Sequence, residues 1–173
     1  GWRRVIGLGT VVETARLRSS IGDHLSPERP ARDVWAYAVG THDSSFVPVL
    51  VPHPAVGTAL SDDRRRRIVR LAKQEAVKGA ERVKDETGSS LHPIVEGAVS
   101  VAKAIATDSH EVLTVSCLDP ATADSDRLFY SMPCALGRNG IAKRHVIHDG
   151  NIQSELNSNL CTLRQQIQEL PEP

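Results

Sequence analysis

The chain is short of cysteine, of net charge and of long apolar runs, and each shortage removes a class of protein. Three cysteines in 173 residues, Cys117, Cys134 and Cys161, are too few and too scattered for a disulfide framework or a zinc site. Cys117 and Cys134 sit in strand-like apolar runs and read as reduced core residues. The 21 basic residues balance the 21 acidic ones, so global electrostatics gives no case for nucleic acid or an anionic membrane as partner. No apolar run approaches the length of a membrane span. Gly1-Trp2-Arg3-Arg4 is not followed by the apolar stretch of a signal peptide. Internal repeats, low-complexity segments and a glycine-rich phosphate loop are also missing. Gly7-Leu8-Gly9 is half of such a loop, but Glu13 stands near where a backbone should approach phosphate. His24, His53, His92, His110, His145 and His148 show no metal-ligand spacing; His145 and His148 are three apart but have no further ligands.

What remains is an ordinary globular composition, 40% hydrophobic and 24% charged, in a chain long enough for one domain with a real core. The sparse cysteines make a cytoplasmic setting the default. The chain has no initiator Met and enters the β-like run Arg4-Val5-Ile6-Gly7 at once, which reads as the start of a fragment.

Pattern along the chain predicts the elements. A first helix begins near Val12 or Glu13 and runs to about His24, with Glu13 suited to the positive end of the helix dipole. Ser26-Pro27-Glu28-Arg29-Pro30 ends it. Asp33–Val39 reads as a strand, Gly40–Ser45 as a turn and Phe46–Val51 as a second strand. Pro48, Pro52 and Pro54 mark an edge that soon leaves the sheet. A long helix follows over Ser61–Lys84, capped by Ser61 or Asp62, with Ile68, Leu71, Ala72, Ala76, Ala80 and Val83 as its buried stripe. Arg64 to Arg67 reads as a solvated helix start, since successive residues point around the helix.

After the break at Thr87-Gly88-Ser89-Ser90, a helix is predicted from Pro93 to Ala106, with proline at its first position. Its expected stripe is Ile94, Val95, Ala98, Val101, Ala102 and Ile105. Three strands, Glu111–Cys117, Leu128–Leu136 and Ile141–Ile147, are joined by links short enough to favour antiparallel pairing. A last helix covers about Ile152–Leu170. The sum is an α+β fold: a mostly antiparallel sheet packed with about four helices.

Two places carry chemistry. Glu13 and Arg16 are three apart and share a helix face. They read either as a surface ion pair or as two tools, a carboxylate that orients a histidine and a guanidinium fork that holds a substrate carboxylate. His42, at the polar break Val39-Gly40-Thr41-His42-Asp43-Ser44-Ser45, reads either as a solvated loop residue or as an acid–base group able to change charge near neutral pH.

These residues resemble a family. Arg4-Val5-Ile6-Gly7-Leu8-Gly9-Thr10-Val11-Val12-Glu13-Thr14-Ala15-Arg16 is similar to the segment that opens the second half of lactate/malate dehydrogenases, R-V-I-G-x-G-[TC]-x-L-D-[ST]-A-R. Gly40-Thr41-His42-Asp43-Ser44-Ser45-Phe46-Val47-Pro48 resembles its G-E-H-G-D-S-x-V-P. Ser131-Met132-Pro133-Cys134-Ala135-Leu136-Gly137-Arg138-Asn139-Gly140-Ile141 resembles its S-x-P-x-x-[LI]-G-x-[ND]-G-[IV]. The matches fall in family order and spacing, and the likeness covers essentially the whole chain. Ala102-Lys103-Ala104-Ile105 and Val112-Leu113-Thr114-Val115-Ser116 are similar to the branch that includes L-2-hydroxyisocaproate dehydrogenase.

The resemblance implies a C-terminal catalytic and substrate domain over residues 1–173, with NAD as cofactor and the dinucleotide-binding domain outside this chain. By the same resemblance His42 is the proton donor and acceptor, Glu13 its acid partner and Arg16 the carboxylate clamp. Ser90 lines the substrate pocket, and Ile94 packs beside the nicotinamide. The implied reaction interconverts a 2-oxo acid and an L-2-hydroxy acid, with the isolated chain inactive. The implied assembly is a homodimer or homotetramer, with the first helix at a subunit contact. Three departures stand out: Glu13 replaces an aspartate, and Thr41 and Asp43 replace a glutamate and a glycine. Asp43 is expected to raise the His42 pKa and to crowd a turn the family builds with glycine. The departures keep open a second reading, a non-catalytic dehydrogenase-like domain retained for assembly or ligand binding.

Overall fold

The computed structural model describes residues 2–25, 33–51, 60–89, 91–119 and 128–169. After a short 3₁₀ turn at Trp2–Arg4, the chain runs along β-structure laid down a hundred residues later: Gly7 exchanges both backbone hydrogen bonds with Ser116. Gly9 makes this approach possible. Its φ is +53°, and a Cβ there would stand 2.5 Å from both the Ser116 nitrogen and the Ser131 hydroxyl. The tight spot is filled by the sheet, so Gly7-Leu8-Gly9 is a packing device rather than a phosphate cradle.

Helix α1 spans Val11–Leu25, opening one or two residues earlier than the pattern suggests. Thr14, Leu17, Ser20, Ile21 and Gly22 form its buried face. It packs on strand β1, Ala36–Val39, and on helix α2, Asp62–Thr87. β1 is shorter than expected because Asp33 lies in a 3₁₀ turn. Strand β2, Val47–Leu50, pairs antiparallel with β1, Ala38 facing Pro48. Pro52 and Pro54, expected to lead the chain off the sheet, lie outside the described residues.

Ser61 caps α2 by accepting the Arg64 N–H, and Gly88 ends it at φ +68°. Ile68, Ala72 and Ala76 are buried, whereas Ala80 and Val83 are half-buried, so the stripe is best covered in the first half of the helix. Arg64, Arg66 and Arg67 are exposed, as a solvated start requires.

Helix α3 covers Leu91–Ala106. Pro93 is therefore at its third position rather than its first, which is tolerated because the first helical N–H groups have no intrahelical acceptor. The predicted stripe needs a larger correction. Only Gly97 and Ala104 are buried; Val101 and Ile105 are half-buried, and Ile94, Val95, Ala98 and Ala102 are exposed.

Strands β3 (Glu111–Leu118), β4 (Phe129–Gly137) and β5 (Gly140–Arg144) form an antiparallel sheet in the order β3-β4-β5, with a register shift at Ala135/Leu136. β5 stops three residues before the expected Ile147, although the His145 N–H still bonds Pro133 O. Gly40 exchanges both backbone bonds with Ser131, tying the end of β1 to β4. Helix α4, Gly150–Gln168, is capped by the Asp149 carboxylate. One apolar cluster lies around the three-stranded sheet and α4; a second joins α1, β1 and α2. Cys117 and Cys134 are buried and reduced, their sulfurs 3.7 Å apart. Among the described residues the fold is α+β with four α-helices, as the pattern predicts. Among the described residues no helix is long and apolar enough to cross a membrane, and no group of three or more ligating side chains could hold a metal.

Candidate active site

The first turn of α1 and the loop after β1 meet because both ends are pinned. β1 is held by α1 on one side and, through Gly40, by β4. The chain leaving Gly40, at φ +95°, then carries Thr41 and His42 back over the start of α1. Asn159 on α4 donates to Ser45 O at 2.6 Å and holds the far end of the loop.

Glu13 and His42 are brought together: His42 Nδ1 stands 3.2 Å from Glu13 Oε2. The carboxylate is sunk into the protein, 15% exposed, while the ring is 64% exposed. Glu13 Oε2 makes no well-directed hydrogen bond, so the contact is a close ion pair rather than an aligned bond. Burial opposes the charge on Glu13, but the His42 ring, the backbone N–H of Glu13 itself and the Arg16 charge together hold the carboxyl below its ordinary value. The polar contact with Glu13 raises the His42 pKa above its ordinary value; partial burial opposes the rise, Asp43 adds to it and Arg16 subtracts.

Asp43 does contribute to the charge of the histidine, as expected. It does not crowd the turn. Its backbone is not left-handed, and its carboxylate accepts the Ser45 N–H at 2.7 Å and the Thr41 hydroxyl at 3.0 Å. The side chain thus makes by hydrogen bonding the turn that glycine would make by conformational freedom. Those bonds keep its own pKa low against the cost of burial.

Arg16 is half-buried and forms no ion pair or hydrogen bond among the described residues. It is close enough for its charge to act on both Glu13 and His42. With Val11, Val12, Ala15, Pro93 and Gly97 it lines an open, largely apolar hollow of about 350 Å³ between α1 and α3. Glu13 and His42 do not line this hollow. Ile94 is on α3 but 45% exposed and outside the lining. Ser90 lies outside the described residues. The structure therefore pairs Glu13 with His42, sets Arg16 within electrostatic reach of both but in a separate hollow, and leaves Ile94 on an open face.

Sequence reasoning missed the support behind this site. Thr10, Thr14 and Thr114 form a buried hydroxyl network that ties α1 to β1 and β3. The signal was available in part, since Thr10 and Thr14 flank Glu13 one turn apart. Asn159 gave none, because only the fold brings α4 to the loop.

The sequence pattern of the lactate/malate dehydrogenase alpha/beta C-terminal domain matches residues 10–171. The chain is 32% identical over 153 residues to an L-lactate dehydrogenase of Allorhizobium ampelinum, covering 80% of this chain and 46% of that protein. It is 33% identical over 152 residues to an L-lactate dehydrogenase of Thermus aquaticus, with the same two coverages. A malate dehydrogenase of Chlorobium phaeobacteroides is 28% identical over 140 residues, 80% of this chain and 44% of the relative. The chain spans about half the length of the curated relatives it matches.

Proposed function

The chain belongs to the lactate/malate dehydrogenase family through its C-terminal domain, and from that membership we propose that it is the substrate-binding and proton-transfer half of an NAD-dependent L-2-hydroxy acid dehydrogenase. The observation that carries the proposal is Arg16: a half-buried guanidinium without a partner among the described residues, beside a paired acid and histidine.

Each side chain has a role that follows from its position. Arg16 presents five donors in a planar fork and binds the substrate carboxylate. Glu13 occupies the Nδ1 side of His42 and stabilises the imidazolium, leaving Nε2 for substrate. In the reductive direction the His42 Nε2–H proton goes to the carbonyl oxygen, which becomes the hydroxyl. In the oxidative direction neutral His42 takes the hydroxyl proton back. The contact with Glu13 raises the His42 pKa and so favours the protonated, donor form.

Hydride exchange is the chemistry a nicotinamide supplies when bound. The described residues fit that cofactor only at its apolar end, through the exposed Ile94. Gly7-Leu8-Gly9 is closed by the sheet and followed by a buried carboxylate, so no phosphate cradle lies there. We place the phosphate contacts in residues beyond these 173, Ser90 in the substrate pocket, and the whole enzyme in the cytoplasm as a homodimer or homotetramer with α1 at a subunit contact.

One observation favours the second reading, a domain kept for assembly or ligand binding: Glu13 Oε2 makes no well-directed bond to the ring. The test joins this chain to the part of the Thermus aquaticus relative that its match leaves uncovered and assays a panel of 2-oxo acids with NADH. Activity abolished by His42→Asn and by Arg16→Gln supports the enzyme. Activity that appears only in Glu13→Asp identifies a degraded site, and none in either form identifies the binding domain. The 173-residue chain alone is expected to show no turnover; NADH-dependent reduction by it would overturn the division into halves.

A further inference from the structure

The residues that hold the Glu13–His42 pair in register have not been assigned a role, and their hydrogen-bond chemistry assigns them one. Thr10, Thr14 and Thr114 are 0, 5 and 1% exposed. Thr114 Oγ1 donates to Thr10 O at 3.1 Å, which uses its only proton. In the 2.6 Å contact between Thr14 and Thr114, Thr14 is therefore the donor. Thr14 Oγ1 in turn accepts the Ala38 N–H at 2.9 Å. The direction is thus fixed along the chain Ala38 N–H, Thr14, Thr114, Thr10 O. Thr10 Oγ1 closes the set by donating to Ala38 O at 2.5 Å.

Ala38 turns its N–H and C=O away from β2, because the bonds of the β1–β2 ladder fall on the alternate residues, Val51 N–H to Trp35 O among them. Thr10, just before α1, and Thr14 within it serve Ala38 as a neighbouring strand would. Two residues on, Gly40 is served by Ser131 of β4. The strand that delivers His42 is thus fixed at Ala38 by the helix that carries Glu13, and both are fixed to β3 through Thr114. Apolar packing alone would let α1 slide or rotate on β1; a directed chain of buried hydroxyls allows one register, because any shift leaves a buried polar group unpaired.

We propose that Thr14 and Thr114 are positioning residues for the Glu13–His42 pair, setting the separation of the first turn of α1 from the end of β1. This rests on the pairing described above but needs neither cofactor nor activity. The test is an NMR titration of the His42 ring in the 173-residue chain, with the fold followed by circular dichroism. Glu13→Gln calibrates the pair and lowers the His42 midpoint. Thr114→Val is expected to stay folded and to move the midpoint by at least half of that shift; Thr114→Ser, which keeps the hydroxyl, restores it. Ile21→Val, which loosens the other apolar cluster, leaves the midpoint in place, so lost stability alone does not mimic the effect.

A midpoint that responds to Glu13→Gln but not to Thr114→Val overturns the positioning role and leaves the pair intact. A midpoint unmoved by Glu13→Gln overturns the pairing and this proposal together. Should Thr114→Val fail to fold, the Ala38 amide in the unmodified chain decides: slow hydrogen exchange supports its bond to Thr14, and exchange at the unprotected rate overturns it.

Discussion

Helices α1 and α3 are close in length, 15 and 16 residues, and they are used in opposite ways. α3 is the richer in apolar side chains, yet it buries only Gly97 and Ala104 and leaves Leu91, Ile94, Val95 and Val99 exposed. α1 carries glutamate, two arginines, aspartate and a histidine, yet it buries five residues and supplies the acid and the cation of the candidate site. The difference lies in what each helix meets. α1 packs against α2 and β1, so Leu17 and Ile21 are fully buried and Thr14 finds a buried partner. α3 meets β4 and the start of α1 along one side, and its remaining apolar surface faces outward. Apolar content states what a helix can bury; its neighbours decide what it does bury.

The comparison breaks most visibly in catalysis. In the two-part enzyme described above, His42→Asn should lower turnover by about 10²–10⁴-fold, the usual contribution of a general acid–base group. Arg16→Gln should act mainly by weakening 2-oxo acid binding. Ile94→Ala on the open face of α3 should cost less than either. Steady-state rates on one 2-oxo acid order the three, and an Ile94→Ala defect exceeding that of His42→Asn would move the centre of the site from α1 to α3.

Stability gives the next contrast. Leu17 on α1 is fully buried, and Leu17→Ala should destabilise the chain by about 2–5 kcal/mol. Val99 on α3 is 58% exposed, and Val99→Ala should stay within about 0.5 kcal/mol. Urea unfolding of both variants checks the pair. Equal losses would show that α3 is covered in solution after all.

The pH dependence sharpens the α1 end. The folded pKa of His42 is raised, so its contribution to stability is full below the unfolded value near 6.5 and is lost as pH rises through the folded value. The folded pKa of Glu13 is lowered, so its contribution is present above the unfolded value near 4.5 and is lost as pH falls through the folded one. The stability difference between the natural chain and Glu13→Gln should therefore be greatest between about pH 4.5 and 6.5 and shrink on either side. Because the ring is well exposed, salt should reduce the difference. A difference that is flat with pH would remove His42 as the partner.

Much of this architecture is legible without coordinates, and the failures are instructive. Period and punctuation locate α2, with Ser61 before it and Gly88 after it, because caps and glycine act locally. They also locate the antiparallel strands β3, β4 and β5, which follow one another directly in the sequence. They misread the stripe of α3, since Ile94, Val95 and Ala98 have helical spacing whether or not anything covers them. At the site, Glu13, Arg16 and His42 can be picked out by residue type and by family likeness. Their support cannot, because the bonds of Thr114 to Thr14 and of Asn159 to Ser45 span 100 and 114 residues. Local pattern carries no information on such pairs. The role of Asp43 also escapes, since a carboxylate near a histidine suggests electrostatics, whereas most of its oxygen contacts go to Thr41 and Ser45.

The smallest expected effect lies where the two helices touch. Gly97 is buried in the middle of α3, and a Cβ added there would sit 3.6 Å from Val11 Cγ1 and from Val12 Cγ2, ordinary van der Waals distance. Space is therefore available for a methyl group, and glycine inside a helix costs about 0.5–1 kcal/mol relative to alanine. Gly97→Ala should stabilise the chain by about that amount and raise its melting temperature by a few degrees. It fills the interface without pushing α1, so the His42 titration should be unchanged. A stabilised variant with an unmoved histidine would show that α1 takes its register from β1 and β3, with α3 resting against it. A shifted histidine would mean that α3, for all its exposed surface, also sets the position of Glu13.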